Sequence, residues 1–215
     1  MPFADADGTK LYYEDTGSGT PILFLHEFAG DHRSWEAQVR FFSRTHRCVV
    51  AAARGYPPSD VPDDEDAYGQ DRAIADALCI LDHLEIDKAV VVGLSMGAYT
   101  ALRIALHHPD RVIACVPASG GAGSPKDTHA TFVQDAQATA ARMLKTGEFP
   151  VDGIALGPTR AQLKRKDPRG WGEFRRQLSE HSVLGSAYTL RQVQAARPSL
   201  YDFEDELRAT TTPIC

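Results

Sequence analysis

A serine flanked by glycines stands in the segment Gly93-Leu94-Ser95-Met96-Gly97, directly after a run of three valines. A serine hydroxyl can act as a nucleophile when a sharp turn between a strand and a helix exposes it beside a base. The glycines at 93 and 97 remove side chains that would clash in such a turn. The backbone N–H of Met96, at the start of the helix, would donate to a developing oxyanion. Ser95 is therefore our candidate nucleophile, with a helix N-cap serine as the alternative.

A second oxyanion donor is expected from the loop that follows the first long strand. That loop reads His26-Glu27-Phe28-Ala29-Gly30. The backbone N–H of Phe28 is the predicted donor, because this role needs no particular side chain. The alternative is an ordinary surface loop.

The elements around these residues alternate between strand-like and helical patterns, which predicts an α/β fold with a mostly parallel central sheet flanked by helices. Asp7-Gly8 predicts a hairpin turn, and Ser34 is the expected N-cap of the first helix. Continuous apolar runs predict buried strands at 21–26, 47–53, 89–94 and 111–118. Helical spacing is found near 34–43, 68–84 and 96–108, and the prolines in 54–60 predict a loop.

The pattern changes after Gly120, where amphipathic helical segments with glycine and proline breaks replace the strands. We expect three regions: residues 1–120 as the N-terminal part of an α/β core, 121–207 as an inserted helical lid, and 208–215 as the start of the next core strand.

Three segments, taken in order, resemble the α/β-hydrolase superfamily, in particular its small esterase, enol-lactonase and cofactor-free haloperoxidase-like branch. They are LHEFAGDHRSW, ARGYPPSD and VVGLSMGAYTALRIALHHPDRV. The resemblance implies hydrolysis of a small ester or lactone through an acyl-enzyme on Ser95, with no cofactor. The chain departs from the family pattern at Glu27, where His-Gly is usual, and at Ala52, where Asp is frequent.

In that family an acid and then a histidine follow the serine along the chain, on loops after late strands. The resemblance implies that the acid lies beyond the strand that 208–215 begins. We therefore expect the chain to be cut short by roughly 50 residues, at average element lengths. Asp127, His129 and His181 are the candidates for the missing roles within the chain. The alternative function is a catalytically inactive remnant or a small-molecule-binding module.

The composition of the chain limits the classes of molecule that it is expected to bind. A formal net charge of −6 argues against nucleic acid, and no apolar run is long enough to span a membrane. The acidic start lacks the features of a signal peptide, so we expect a cytoplasmic location. Cys48, Cys79, Cys115 and Cys215 are dispersed, which predicts neither a metal nor a redox site. An unpaired strand at 111–118 would leave an apolar sheet edge and favour self-association.

The segment 160–176 carries seven basic and two acidic residues. This surplus either forms a solvated helix face or attracts a small carboxylate-bearing substrate toward the cleft.

Overall fold

The computed structural model describes residues 2–215, except for the side chain of Thr159. The strands are β1 (Phe3–Ala6), β2 (Thr9–Gly17), β3 (Thr20–Leu25), β4 (His46–Ala51), β5 (Ala89–Leu94) and β6 (Val112–Ala118). The α-helices are α1 (Glu36–Phe42), α2 (Gln70–His83), α3 (Met96–His107), α4 (Lys126–Thr146), α5 (Val151–Ala155), α6 (Pro158–Lys166), α7 (Pro168–Leu178), α8 (Val183–Tyr188) and α9 (Glu204–Ala209).

The strands form one sheet in the order β1-β2-β4-β3-β5-β6. The hairpin of β1 and β2 is antiparallel and also pairs antiparallel with β4, whereas β4, β3, β5 and β6 run parallel to one another. The predicted α/β fold with a mostly parallel sheet is confirmed. Its carboxyl edge brings together the ends of β3, β4, β5 and β6, where ligands bind in open α/β sheets.

Alternating side chains of the central strands fill the core on both faces of the sheet, as strand geometry requires. Leu23 and Leu25 of β3 belong to the cluster that includes buried residues of α2 and α3. Ile22 and Phe24 face the opposite way and form a second cluster with Trp35. Val39 and Phe42 of α1 pack against this cluster. Helices therefore cover both faces and fix the sheet edge that carries Ser95.

The start of the first helix differs from the prediction. Ser34 is not the N-cap; it lies inside a 3-10 turn, His32–Trp35, whose N-cap is Asp31. The Asp31 carboxylate accepts from the backbone N–H of Arg33 at 2.8 Å and also bonds the Arg33 guanidinium. A carboxylate that receives both groups caps the turn better than a serine hydroxyl, because the hydrogen bonds are charge-assisted.

Helices occupy the chain from α4 to α9, and no strand occurs in the described residues between β6 and the last three residues. Ile214 forms a single parallel bridge to Cys115 of β6. The Cys115 N–H donates to the Pro213 carbonyl at 2.8 Å, and the Cys215 N–H donates to the Cys115 carbonyl at 3.0 Å. The outer edge of β6 is thus covered at its middle.

Candidate functional site

Ser95 sits at the junction of β5 and α3 in a sparsely populated backbone conformation, with φ of +52° and ψ of −105°. A non-glycine residue held at positive φ stores strain of order 1–3 kcal/mol, and such residues cluster at functional sites. The Ser95 N–H donates to the Ala118 carbonyl at 2.8 Å, which ties the turn to the end of β6. Ser95 occupies the N-cap position of α3, but its side chain makes no capping hydrogen bond. Ser95 is half-buried, and its hydroxyl is not used to cap the helix.

The two glycines of the turn are required by close backbone contacts. A Cβ on Gly93 would overlap the carbonyl group of Gly97 and stand 2.5 Å from the Ala98 nitrogen. A Cβ on Gly97 would overlap the Leu25 carbonyl oxygen at the end of β3. The turn is therefore as tight as the spacing of the glycines predicts, and it packs directly on the neighbouring strand.

The loop after β3 is held by its own histidine. The Ala53 N–H donates to His26 Nε2 at 3.0 Å, so the ring proton is assigned to Nδ1, which donates to the Glu27 carbonyl at 2.8 Å. The Gly30 N–H donates to the same carbonyl at 3.1 Å. Burial lowers the pKa of His26, which keeps the ring neutral and preserves this arrangement.

The Glu27 carbonyl fixes the direction of the Phe28 N–H, the predicted second oxyanion donor. The Glu27–Phe28 peptide bond is trans, so its N–H points away from its C=O. Because His26 and Gly30 hold the Glu27 carbonyl on one side, the Phe28 N–H faces the other side. Phe28 and Met96 both pack in the cluster built on Tyr56. The two predicted donor residues, one after β3 and one after β5, therefore share a packing partner.

Glu27 marks the departure from the His-Gly pattern, and its carboxylate is buried rather than solvated. One carboxylate oxygen lies 3.4 Å from Arg160 Nη2 of α6. Among the described residues the other oxygen has no hydrogen-bond partner. Gly30 leaves the space this side chain needs, since a Cβ there would stand 2.5 Å from the Glu27 carboxyl carbon.

The three candidates for the missing triad roles lie in different environments. Asp127 is exposed in the first turn of α4. His129 Nδ1 is hydrogen-bonded to the Gly123 carbonyl at 2.7 Å. His181 is buried between Tyr56 and Phe149, with ring centroids 5.3 Å and 5.0 Å away, and burial lowers its pKa to about 4. The structure records no hydrogen bond from any of the three to Ser95 among the described residues.

Two residues near the site were not predicted to have these contacts. The Tyr56 hydroxyl donates to the Phe28 carbonyl at 3.0 Å, although the prolines in 54–60 predicted a loop and gave no role to Tyr56. Arg160 reaches Glu27 from the helical region, although the sequence indicated only a surplus of basic charge there. Both contacts join residues far apart in the chain, so no local spacing could have predicted them.

Most of the basic charge in 160–176 is engaged within the helical region. Arg175 pairs with Asp152, Arg176 with Glu180, and Arg169 with Glu173. Lys164 lies over the ring of Trp171, whose indole N–H donates to the Ala155 carbonyl. The arginine pairs lie on an exposed helix surface.

None of the described helices is long and apolar enough to cross a lipid bilayer. In the described residues, no group of three or more His, Cys, Asp or Glu side chains is placed to hold a metal ion.

Comparison with curated proteins finds a 34% identical match to epoxide hydrolase 2 of Siraitia grosvenorii. It extends over 111 residues, which is 51% of this chain and 35% of the length of that protein. The chain therefore matches about a third of the length of this relative.

Two solved structures align with nearly the whole chain. A hydrolase from Pseudomonas aeruginosa aligns with a TM-score of 0.83 at 25% identity, covering 99% of this chain and 77% of its own. Est816, described as an N-acyl homoserine lactone degrading enzyme, aligns with a TM-score of 0.70 at 26% identity, covering 99% and 79%. The family model for the alpha/beta hydrolase fold matches residues 20–213. With its strand order, its turn at Ser95 and this match, the chain belongs to the α/β-hydrolase superfamily.

Proposed function

We propose that this chain is a serine hydrolase that cleaves small esters or lactones through an acyl-enzyme on Ser95, without a cofactor. The observation that carries the proposal is the strained backbone of Ser95 at the carboxyl end of a parallel strand, with a hydroxyl that makes no capping hydrogen bond. The N–H groups of Met96 and Phe28 are the proposed oxyanion donors, and Gly93 and Gly97 permit the turn.

The chemistry of the nucleophile favours esters and lactones over epoxides. Attack of a serine oxygen on an epoxide carbon opens the ring and forms an ether, which water does not cleave at neutral pH. Attack on an ester carbonyl forms an acyl-serine, which is itself an ester, and water can release it. A serine at the turn therefore supports turnover on carboxylic esters. We therefore do not propose epoxide hydrolysis for this chain, although the Siraitia relative is named an epoxide hydrolase.

We further propose that residues 121–207 form a lid over the carboxyl edge of a core made by residues 1–120, with 208–215 returning to the sheet. Two contacts support this division. Phe28 of the core packs against the cluster of α4 and α8, and its ring lies 6.1 Å from that of Phe149. The lid would set the shape of the substrate-binding pocket beside Ser95. The proposed substrate is a small molecule.

A fluorophosphonate probe tests the proposal, because it phosphonylates only activated serine hydroxyls. We expect labelling of the purified chain, mapped by peptide mass to Ser95 and abolished in Ser95→Ala. Ser179→Ala serves as the matched control, since this serine lies on the surface at the end of α7 and bonds only the Arg176 carbonyl. Labelling at another serine, or none, would contradict the proposal.

A catalytically inactive remnant or a small-molecule-binding module is the competing proposal. The observation in its favour is that Asp127, His129 and His181 are all placed away from a hydrogen bond with Ser95 within the described residues. It predicts an unlabelled Ser95 in a chain that still binds an uncleavable phosphonate ester, measured by calorimetry. Labelling at Ser95 would exclude it.

A further inference from the structure

We propose that Tyr56 is a positioning residue that holds the oxyanion loop, residues 26–30, in place and connects it to the lid through Val193. The catalytic consequence of this inference rests on the proposed serine hydrolysis, whereas the structural consequence does not.

The hydroxyl of Tyr56 fixes the peptide group that follows the proposed donor. It donates to the Phe28 carbonyl at 3.0 Å, while His26 and Gly30 hold the Glu27 carbonyl. Two consecutive peptide planes are thus clamped, and the Phe28 N–H belongs to the first of them. Without Tyr56 only the first carbonyl would be held, and the plane of the second peptide could rotate.

The ring of Tyr56 is as constrained as its hydroxyl. Tyr56 is 1% exposed, and its ring meets the His26 ring at a centroid distance of 4.7 Å. Met96 and Val193 are buried in the same cluster. The side chain therefore touches the residues of both proposed oxyanion donors and is immobilised between them.

The lid reaches the ring of Tyr56. Val193 lies in the π-helical segment Thr189–Ala195 and is buried in the same cluster as Tyr56. The ring of His181, also from the lid, lies 5.3 Å from the Tyr56 ring between centroids. Burial raises the pKa of Tyr56 well above its usual range, so the phenol keeps the proton it donates.

The chain offers a matched pair of substitutions. Tyr56→Phe removes only the hydroxyl that holds Phe28. Tyr68→Phe removes an equivalent bond, because the Tyr68 hydroxyl donates to the Pro62 carbonyl at 3.0 Å, away from the oxyanion loop. Val193→Ala removes the lid side of the connection and leaves Tyr56 intact.

Amide hydrogen exchange is the test that does not depend on activity. We expect exchange in the peptide covering residues 26–30 to rise about 10-fold in Tyr56→Phe, since one neutral hydrogen bond contributes about 0.5–1.5 kcal/mol. We expect a rise of about 3-fold in Val193→Ala, which loosens the packing of the ring, and the wild-type rate in Tyr68→Phe. Equal exchange of that peptide in Tyr56→Phe and Tyr68→Phe would overturn the inference.

The rate of fluorophosphonate labelling tests the catalytic consequence. We expect Tyr56→Phe to label Ser95 about 10-fold more slowly than Tyr68→Phe. An unchanged labelling rate together with faster exchange would overturn the catalytic part of the inference. A wild-type chain that is not labelled at all would contradict the proposed function, while hydrogen exchange would still decide the role of Tyr56 in the loop.

Discussion

The α-carbon of Gly97 lies against the backbone of Leu25, so that a Cβ on Gly97 would stand 2.5 Å from the Leu25 carbonyl carbon and closer still to its oxygen. Gly97 is in the first turn of α3, and Leu25 is the last residue of β3. The helix that follows Ser95 is thus seated on the strand that leads into the oxyanion loop, with no room for a side chain between them.

Substitution of this glycine should be far more harmful than substitution of another helical glycine. We expect Gly97→Ala to lower the free energy of unfolding by about 3 kcal/mol and to stop labelling of Ser95, because backbone must move to admit the methyl group. Gly172→Ala in α7 is the control: nothing lies within 4 Å of a Cβ there, and alanine in a helix is more stable than glycine by about 1 kcal/mol. Urea unfolding of both variants measures the difference, and equal stabilities would show that the contact is not limiting.

The buried His181 should make the chain sensitive to acid. Its pKa falls from an ordinary 6.5 to about 4, chiefly because of burial, so the unfolded chain binds a proton that the folded chain excludes. Stability is therefore full above about pH 6.5 and is lost as the pH falls toward 4, by up to about 3 kcal/mol.

Replacement of this histidine tests the assignment. Neither ring nitrogen of His181 has a hydrogen-bond partner among the described residues, so His181→Phe should be neutral or stabilising at pH 7. It should also flatten the dependence of unfolding free energy on pH between 6.5 and 4, leaving the part due to His26 and His32, whose pKa values burial also lowers. Urea unfolding at four pH values measures the slope, and a variant with the wild-type slope would refute the prediction.

Elements whose structure is decided by a few adjacent residues could be predicted from the sequence. The valines before Gly93 predicted a strand buried between two parallel neighbours, and β5 lies between β3 and β6. Asp7 and Gly8 predicted a hairpin turn, and both adopt positive φ there. These features depend on steric limits of a few adjacent residues, which a sequence displays directly.

Contacts between segments that are distant in the chain could not be predicted from the sequence. Ser34 looked like a helix cap, but Asp31 competes for that role because it also binds the Arg33 guanidinium. Tyr56 and Arg160 gained their roles only when folding brought them to Phe28 and Glu27. Hydrogen bonds between such residues leave no periodic trace in a sequence.

The pair of Glu27 and Arg160 should couple the oxyanion loop to α6. Glu27 is mostly buried and Arg160 is about one-quarter exposed, so screening by solvent is incomplete. We expect a double-mutant cycle with Glu27→Gln and Arg160→Gln to give a coupling energy of about 1 kcal/mol that shrinks in high salt. The exposed pair of Arg169 and Glu173 is the control, with an expected coupling of about 0.3 kcal/mol. Similar values for the two pairs would argue against a connection through Glu27.

Self-association through β6 remains a prediction, and the structure limits it to the part of the strand that Ile214 does not cover. Cys115 is bridged to Ile214, but Ile113 on the same strand is 40% exposed. We expect the apparent mass from light scattering to rise with concentration, and Ile113→Lys to suppress the rise, because a charge on an edge strand opposes pairing. Phe41→Lys removes a more exposed aromatic side chain on α1 and should have no such effect. A wild-type mass that stays constant with concentration would exclude association at this edge.

The position of β3 in the sheet has a consequence for folding during synthesis. β3 pairs with β4 on one side and with β5 on the other, yet β5 is synthesised only after residues 52–88 have been added. While the chain is still being synthesised, β3 is therefore an apolar strand with one unpaired edge until Ala89 and the rest of β5 emerge from the ribosome. The turn around Ser95 closes late, since it needs this long-range pairing, and any pause in translation between β4 and β5 lengthens the interval in which other chains can occupy the vacant side.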